Sequence, residues 1–429
     1  MGHRDDAVGT TLNSPEQVRE EILARLETLP PEEVALADAC GRFLAEPVFA
    51  VDDMPPFDNT ALDGFAVRAM DTSTASAERP TRLPVSDTVE AGRAALPHIE
   101  PGSAARIYTG APMPPGTDAV VPFEATAAYD AHSVTLTRPV VPGAAVRPRG
   151  NDFQVGQMLL PAGTPLTPAA IGLLATAGCA RVRVGRRLRV AVHSTGNELV
   201  PVESPLGPGT IRNSNLYAIG ARLQAWGAIP LLRPVLLDTP EAVRAGLLAT
   251  RALAPDVILT TGGVSAGDLD FVREVARELG TDVRIRAVNM KPGKPLVDGL
   301  LGTTPFFGLP GNPAACLVSF EVFVRPALAK LEGRPDGFLP RRLAVAGEDL
   351  PATGGDRWQF VRAQVHYDAA SARYVVRSTG DQGSHRMTSF AQANCLALIP
   401  PGSERLRVGS QVEVLLLSGP IGEAPNDSR

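Results

Sequence analysis

Residues 257–270 read Val-Ile-Leu-Thr-Thr-Gly-Gly-Val-Ser-Ala-Gly-Asp-Leu-Asp, and the fold of the chain around them follows from this stretch. The first three residues form a short apolar run, typical of a strand buried on both faces of a sheet. Beyond the glycines, Phe271, Val275 and Leu279 share one face of an amphipathic helix. A strand that enters a helix through glycines exposes backbone N–H groups at the helix N-terminus, which predicts a site for a phosphate or another oxyanion.

Two acidic residues, Asp268 and Asp270, lie where the glycine-rich turn meets the helix. Either side chain could cap the helix or hold a divalent cation beside a phosphate. Glycine-rich strand-to-helix turns are common, and a tight turn with an N-cap aspartate explains the stretch about as well. The residues of this stretch alone leave both interpretations open.

Alternating strands and helices surround this turn. The predicted elements are, in order, strand 188–193, helix 215–226, a helix from Thr239 onward, strand 257–259, strand 283–289 and helix 314–331 with a kink at Pro326. Such alternation indicates a doubly wound α/β sheet, in which ligands bind beyond the carboxyl ends of the strands. Residues 194–198, 260–270 and 309–313 all lie at that edge, so their convergence predicts a binding site there.

Two lysines, Lys291 and Lys294, stand in a stiff Lys-Pro-Gly-Lys-Pro loop. Two ammonium groups fixed so near each other repel unless an anion lies between them. Solvated surface lysines are the simpler interpretation, but the residues that constrain the backbone here favour an anion site.

The flanking segments predict further structure. Ser14-Pro-Glu-Gln is a capping box that begins a helix predicted over 15–29, and Thr167 begins another helix that Gly178 ends. Between these helices, residues 53–148 carry short alternating runs among many prolines and glycines, which indicates a β-rich insertion. After residue 335 the strand-like runs indicate a small β-barrel.

Composition limits the class of protein. A chain of 429 residues exceeds one hydrophobic core and divides into roughly two to four domains. The net charge of −5 excludes a global basic field for nucleic acid, so any anion binding is local. The four cysteines lack CxxC spacing, the six histidines lack zinc-ligand spacing, and no signal peptide or membrane-spanning run is present. We therefore expect a cytoplasmic protein with free thiols that binds neither nucleic acid nor membrane.

Motifs across nearly the whole chain match one known family. The matching stretches are 59–67, 106–121, 147–152, 257–270, 291–295, 308–313, 357–362 and 382–394. Together they resemble the molybdopterin molybdenumtransferase family, which includes the E domain of gephyrin and its plant counterpart. The chain departs from the family pattern at Phe65, Asp268 and Ala315, where tyrosine, glutamate and serine are usual.

The resemblance implies an α/β and β multidomain fold and an elongated homodimer. Its expected parts are a discontinuous N-terminal α/β domain (1–52 and 149–185), a β-rich insertion domain (53–148), a central doubly wound α/β domain of the molybdopterin-binding type (186–334), a C-terminal β-barrel domain (335–417) and a tail (418–429).

The resemblance also implies a reaction. The protein would insert molybdenum from molybdate into adenylylated molybdopterin and hydrolyse the adenylate to AMP with Mg²⁺. Other cofactor-biosynthesis proteins would be further partners. The implied catalytic residues are Asp63, Thr109, Glu198 and Asp270, and the implied metal ligands are Asp152, Asp268 and Asp270. The implied substrate-binding residues are Gly262, Gly263, Ser265, Lys291, Lys294, Pro310, Gly311, Asn312, Arg357 and Ser384.

Two other functions stay open at this stage. The α/β part alone resembles the molybdopterin adenylyltransferases that prepare the substrate, although the additional domains with their own motifs argue against that activity. Gephyrin-like E domains also bind partner peptides, which makes a scaffold conceivable, although the intact acidic and basic motifs argue against a purely structural protein.

Overall fold

The computed structural model describes residues 12–264, 270–350, 355–403 and 405–417. The chain forms two compact units. Residues 33–184 make up one of them, and the segments before and after make up the other.

The first helix, α1 (Pro15–Leu23), begins with the predicted capping box. The Gln17 amide donates to Ser14 Oγ at 3.2 Å, and Gln17 Oε1 accepts from the Ser14 amide at 3.0 Å. The prediction that this helix continues to residue 29 is wrong, because the backbone turns after Leu23 and the Leu29 amide donates to the Leu331 carbonyl at 2.8 Å instead. The apolar spacing persists since Leu26 packs into the same core as α1 without being helical.

The unit of residues 33–184 is built mainly of strands. Its elements are β1 (Glu32–Ala35), β2 (Val48–Phe49), β3 (Asn59–Thr60), β4 (Gly64–Val67), β5 (Thr81–Val89), β6 (Ala104–Ile107), β7 (Ala119–Pro122), β8 (Ala128–Tyr129), β9 (Ser133–Leu136), β10 (Val146–Arg147), β11 (Met158–Leu160), α2 (Pro168–Thr176) and β12 (Arg181–Val184). One sheet has the order β7-β4-β6-β5-β9-β8, while β1 pairs with β12 and β2 with β11. Early strands thus pair with late ones around an inserted sheet. The predicted domain boundaries stay a prediction.

The second unit contains an α/β part. Its elements are β13 (Arg189–Ser194), β14 (Leu199–Val200), β15 (Ile211–Arg212), α3 (Ser214–Trp226), β16 (Ile229–Leu232), α4 (Pro240–Arg251), β17 (Val257–Thr261), α5 (Phe271–Leu279), β18 (Thr281–Ala287), β19 (Met290–Lys291), β20 (Pro295–Leu301), β21 (Thr304–Leu309), α6 (Pro313–Ser319) and α7 (Arg325–Glu332). The sheet order is β16-β13-β17-β21-β20-β18, with the first four strands parallel and β20 antiparallel to both neighbours.

The alternation of strands and helices predicted this α/β sheet correctly. Asn213 caps α3 by accepting from the Leu216 amide, and Gly227, with φ of +94°, ends the helix. Between α6 and α7, residues 320–324 form a π-helical turn just before Pro326. The predicted interruption of the last helix therefore takes the form of a change in helical hydrogen bonding.

The C-terminal part is a closed barrel. Its elements are β22 (Arg341–Ala346), β23 (Trp358–Asp368), β24 (Arg373–Ser378), α8 (Met387–Gln392), β25 (Cys395–Ile399) and β26 (Gln411–Leu416). The strands follow the order β23-β24-β22-β26-β25, and β25 pairs back with β23. The predicted β-barrel is confirmed, whereas the short helix α8 was not predicted. Within the described residues, no helix is long and apolar enough to cross a membrane.

Candidate functional site

A cleft of about 1010 Å³ opens where β13, β17 and β21 end. The segments after these parallel strands form one wall, and residues of the Lys291–Pro295 loop and of the barrel form the other. The predicted residues that line it are Glu198, Gly262, Gly263, Asp270, Lys291, Lys294, Pro310, Gly311, Asn312, Arg357 and Ser384. Ser265 and Asp268 lie outside the described residues.

Gly262 brings two of the strand-end segments into close contact. Its φ is +95°, and a Cβ atom there would lie 2.7 Å from the Thr195 carbonyl oxygen. Its amide donates to the Leu309 carbonyl at 3.0 Å, which ties the end of β17 to the end of β21. Only glycine satisfies both the dihedral angle and the space, so the backbone itself forms the floor of the cleft here.

A buried polar network fixes the helix that borders the cleft. The Thr261 hydroxyl donates to Ser194 Oγ at 3.1 Å, and the Ser194 hydroxyl donates to Asn213 Oδ1 at 2.8 Å. All three side chains are buried, and Asn213 caps α3. Asn215, two residues further, donates from Nδ2 to the Gly311 carbonyl at 2.7 Å. The sequence did not predict this network, because it depends on the pairing of β13 with β17.

Asp270 stands at the N-cap position of α5 and is half-buried in the cleft wall. Its carboxylate accepts no capping bond from the first turn of α5. Of the two roles considered for Asp270, helix capping is therefore not observed.

The predicted cationic loop lies along the cleft. Lys291 and Lys294 are both exposed, and Gly293 between them has a φ of +105°. The Lys291–Pro292 peptide bond is cis. In the described part of the chain, neither ammonium group pairs with a carboxylate. Their charge is thus directed to the cleft and the solvent.

The barrel contributes a buried cation that sequence reasoning missed. Arg362, on β23, is fully buried beside the cleft, and its Nε donates to Ser389 Oγ at 2.7 Å while Nη2 donates to the Gly383 carbonyl at 3.0 Å. Nη1 has no partner among the described residues. Burial lowers the pKa of this guanidinium. The motif that suggested Arg357 contains Arg362 as well, but only barrel closure shows that its side chain turns inward.

Ser384 connects the barrel to the α/β sheet. Its carbonyl accepts from the Ala314 amide at 2.9 Å, and its hydroxyl accepts from Asn312 Nδ2 at 3.0 Å. The loop that contains Ser384 and the loop after β21 are therefore held as one wall.

Asp238 is a second cleft residue that sequence reasoning missed. It forms a reciprocal pair with Asn197, in which each backbone amide donates to the other side chain, at 3.0 and 3.1 Å. Glu198, which follows Asn197 in the chain, is exposed at the cleft. Its carboxylate lies over Gly196, so that a Cβ atom on Gly196 would be only 2.6 Å from Glu198 Oε2. The pair thus positions the segment that carries Glu198.

The other predicted site residues belong to the unit of residues 33–184. Asp63 Oδ1 accepts from both the amide and the hydroxyl of Thr109, at 2.7 Å each. Both hydrogen bonds lower the pKa of Asp63, and the bond from the hydroxyl makes the larger contribution. Asp152 is exposed, and the neighbouring Arg149 pairs with Asp53 at 2.6 Å rather than with Asp152.

The described residues contain no group of three or more His, Cys, Asp or Glu side chains arranged to hold a metal ion. Of the three predicted ligands, Asp270 lies in the cleft, Asp152 belongs to the other unit, and Asp268 is outside the described residues. A magnesium site stays a prediction.

The cleft combines three features suited to an anionic ligand. Backbone amides and glycines line the strand ends, several cations face them, and an acidic side chain stands at the beginning of α5. Such a combination binds oxyanions such as phosphate and can stabilise charge that develops on them.

Most of the chain matches models of known protein families. Three family models match it in order: MoeA N-terminal region (domain I and II) at residues 13–178, probable molybdopterin binding domain at 191–330, and MoeA C-terminal region (domain IV) at 344–417.

Individual relatives agree with these models. The chain is 40% identical over 390 residues to the molybdopterin molybdenumtransferase of Nostoc sp., which covers 90% of this chain and 88% of the relative. It is 39% identical to the enzyme of the same name in Bacillus subtilis, with 90% of each chain covered. A crystal structure of the molybdopterin biosynthesis MoeA protein of Pyrococcus horikoshii superimposes with a TM-score of 0.81 at 32% identity, covering 95% of this chain and 100% of that one.

Proposed function

The chain belongs to the molybdopterin molybdenumtransferase family, and on that premise we propose that it inserts molybdenum from molybdate into adenylylated molybdopterin, hydrolyses the adenylate and releases AMP. The observation that carries this proposal is the cleft, in which cations from one loop and the barrel face the glycine-rich ends of three parallel strands.

The glycine-rich wall would hold the phosphate end of the substrate. Gly262, Gly263 and Gly311 leave the backbone bare at the strand ends, so an oxyanion can approach the peptide N–H groups closely. The packing of Gly262 against Thr195 and of Asn215 against Gly311 keeps this surface rigid. A rigid set of donors stabilises a bound anion without reorganising.

The cationic wall would hold molybdate. Lys291 and Lys294 lie on a constrained loop, and Arg357 and Arg362 lie on the barrel side of the same cleft. Molybdate carries two negative charges, which two or more fixed cations can neutralise. The buried Arg362 adds a further positive charge beside this region.

The acidic residues would serve the hydrolysis. Asp270 is half-buried in the cleft, and carboxylate oxygens suit a hard cation such as Mg²⁺. Asp268 and Asp152 would complete the ligand set. Mg²⁺ bound there would stabilise the charge that develops on the phosphate as the adenylate is cleaved. Asp63, Thr109 and Glu198 would position the substrate.

We further propose a cytoplasmic homodimer in which Asp63 of one subunit serves the reaction of the other. Adenylylated molybdopterin and molybdate would be the substrates, and other cofactor-biosynthesis proteins would supply and receive the pterin.

The product identifies the reaction. Purified protein is incubated with adenylylated molybdopterin, Mg²⁺ and molybdate, and the pterin is recovered and analysed for bound molybdenum. We expect molybdenum bound to pterin in proportion to the AMP released. Adenylylated molybdopterin formed from molybdopterin and ATP, with no molybdenum inserted, would mean an adenylyltransferase, and neither reaction would favour a scaffold.

A further inference from the structure

An arginine in the unit of residues 33–184 is held by aromatic rings, and its side chain has no polar partner among the described residues. The Arg106 guanidinium carbon lies 5.0 Å from the ring centre of Phe123, 5.7 Å from that of Tyr108 and 5.9 Å from that of Tyr129. Phe65, opposite Arg106 in the β4–β6 pairing, packs edge-on against both Phe123 and Tyr129. We name these four rings, Phe65, Tyr108, Phe123 and Tyr129, the aromatic box.

The aromatic box holds the Arg106 guanidinium through contacts with its rings and not through hydrogen bonds. Within the described residues, the Arg106 side chain makes no hydrogen bond and no ion pair, and its Nε is buried without a partner. The residue as a whole is only partly buried. By contrast, Arg325 and Arg334, which also lie over a ring, each pair with a carboxylate. A guanidinium fixed by ring faces and open at its edge is suited to accept an oxyanion in a forked geometry.

The box is joined to both members of the Asp63–Thr109 pair. The Phe123 amide donates to the Asp63 carbonyl at 3.3 Å, and Tyr108 directly precedes Thr109. Gly64, after Asp63, has no room for a side chain because of the Val121 carbonyl. The position of Arg106 and the position of the pair are therefore set by the same strands.

We propose that Arg106 is a positioning residue that binds an anionic oxygen of the substrate beside Asp63 and Thr109. The ligand it takes is a phosphate-like oxyanion, and the role rests on the function proposed above. A substrate with a charged group on one side and hydrogen-bonding groups on the other would then be held in one orientation.

The direct test observes Arg106 in the wild-type protein. The protein is labelled with ¹⁵N-arginine, and its Nε–H signals are recorded during titration with inorganic phosphate and, separately, with adenylylated molybdopterin without molybdate. The Arg106 signal is assigned by its loss in Arg106→Lys. Because the Nε lies among aromatic rings, ring currents should separate this signal from the others.

We expect the Arg106 signal to shift saturably with both ligands. The Nε–H of Arg82, which donates to Ser133 Oγ on the same sheet at 3.1 Å, should not shift and serves as the internal control. An unchanged Arg106 signal with both ligands would overturn the proposal. This titration needs no turnover, so it is independent of whether molybdenum transfer occurs.

Kinetics gives the second measurement. Arg106→Met keeps a long side chain in the box and removes the charge, and we expect it to raise the KM for adenylylated molybdopterin roughly ten- to a hundredfold with kcat nearly unchanged. Arg82→Gln is the matched control and should leave both constants as in wild type. A purely structural role of Arg106 would lower the melting temperature and kcat together and leave KM unchanged, which would contradict the proposal.

Discussion

Thr109 holds Asp63 through two hydrogen bonds to one carboxylate oxygen, since its amide and its hydroxyl each lie 2.7 Å from Asp63 Oδ1. Both bonds favour the ionised carboxylate and lower the pKa of Asp63. Asp63 therefore stays ionised at pH values where an ordinary aspartate begins to take up a proton.

This relationship predicts the pH dependence of a Thr109 variant. Thr109→Val removes the hydroxyl donor and keeps the amide donor, so the pKa of Asp63 should rise toward its ordinary value. If ionised Asp63 is required, the acidic limb of the pH–rate profile of AMP release should move to higher pH. Thr109→Ser retains a hydroxyl and should keep the wild-type limb. Identical limbs for Thr109→Val and wild type would show that ionisation of Asp63 does not limit the reaction.

Asp270→Asn should nearly abolish turnover and leave the fold intact. Asparagine keeps the size of the side chain and its ability to cap α5, whereas it removes the charge that metal-assisted hydrolysis would need. The measurements are AMP release and the melting temperature. The matched control is Thr239→Ala, which removes a side-chain cap at α4 and should cost about 1 kcal/mol of stability with activity retained. Full activity of Asp270→Asn would remove Asp270 from the mechanism.

Complementation tests the proposed sharing of sites between subunits. Asp63→Ala and Asp270→Ala should each be inactive alone. If Asp63 of one subunit serves its partner, mixed dimers of the two variants contain one intact site and should regain part of the wild-type activity. Homodimers of each variant, mixed without subunit exchange, provide the baseline. No recovery in verified mixed dimers would place each complete site in one subunit.

The sequence predicted those features of the α/β part that depend on local patterns. The apolar run at 257–259 and the glycines after it placed a buried strand and its turn at the ligand-binding edge, and the family was recognised correctly from motifs along the chain. The small barrel followed from its strand-like runs.

Other features depend on tertiary contacts and were missed. The polar network of Thr261, Ser194 and Asn213 requires the parallel pairing of β13 with β17. The inward turn of Arg362 requires barrel closure, and the early end of α1 follows from packing of Leu26 and Leu29, whose spacing is helical although their backbone is not. Apolar periodicity indicates which side chains are buried, whether the backbone that carries them is helical or not.

The central claim is that the cleft binds molybdate through fixed cations and uses it to drive release of AMP. The measurement that tests it most directly is AMP release from adenylylated molybdopterin across a molybdate titration, for wild type and for the double variant Lys291→Gln with Lys294→Gln. We predict that the variant needs roughly ten- to a hundredfold more molybdate for half-maximal release, because charge-assisted contacts worth about 1.5–3 kcal/mol are lost. Its affinity for the adenylylated pterin should change less. AMP release that does not depend on molybdate, or the same half-maximal concentration in both proteins, would contradict the claim.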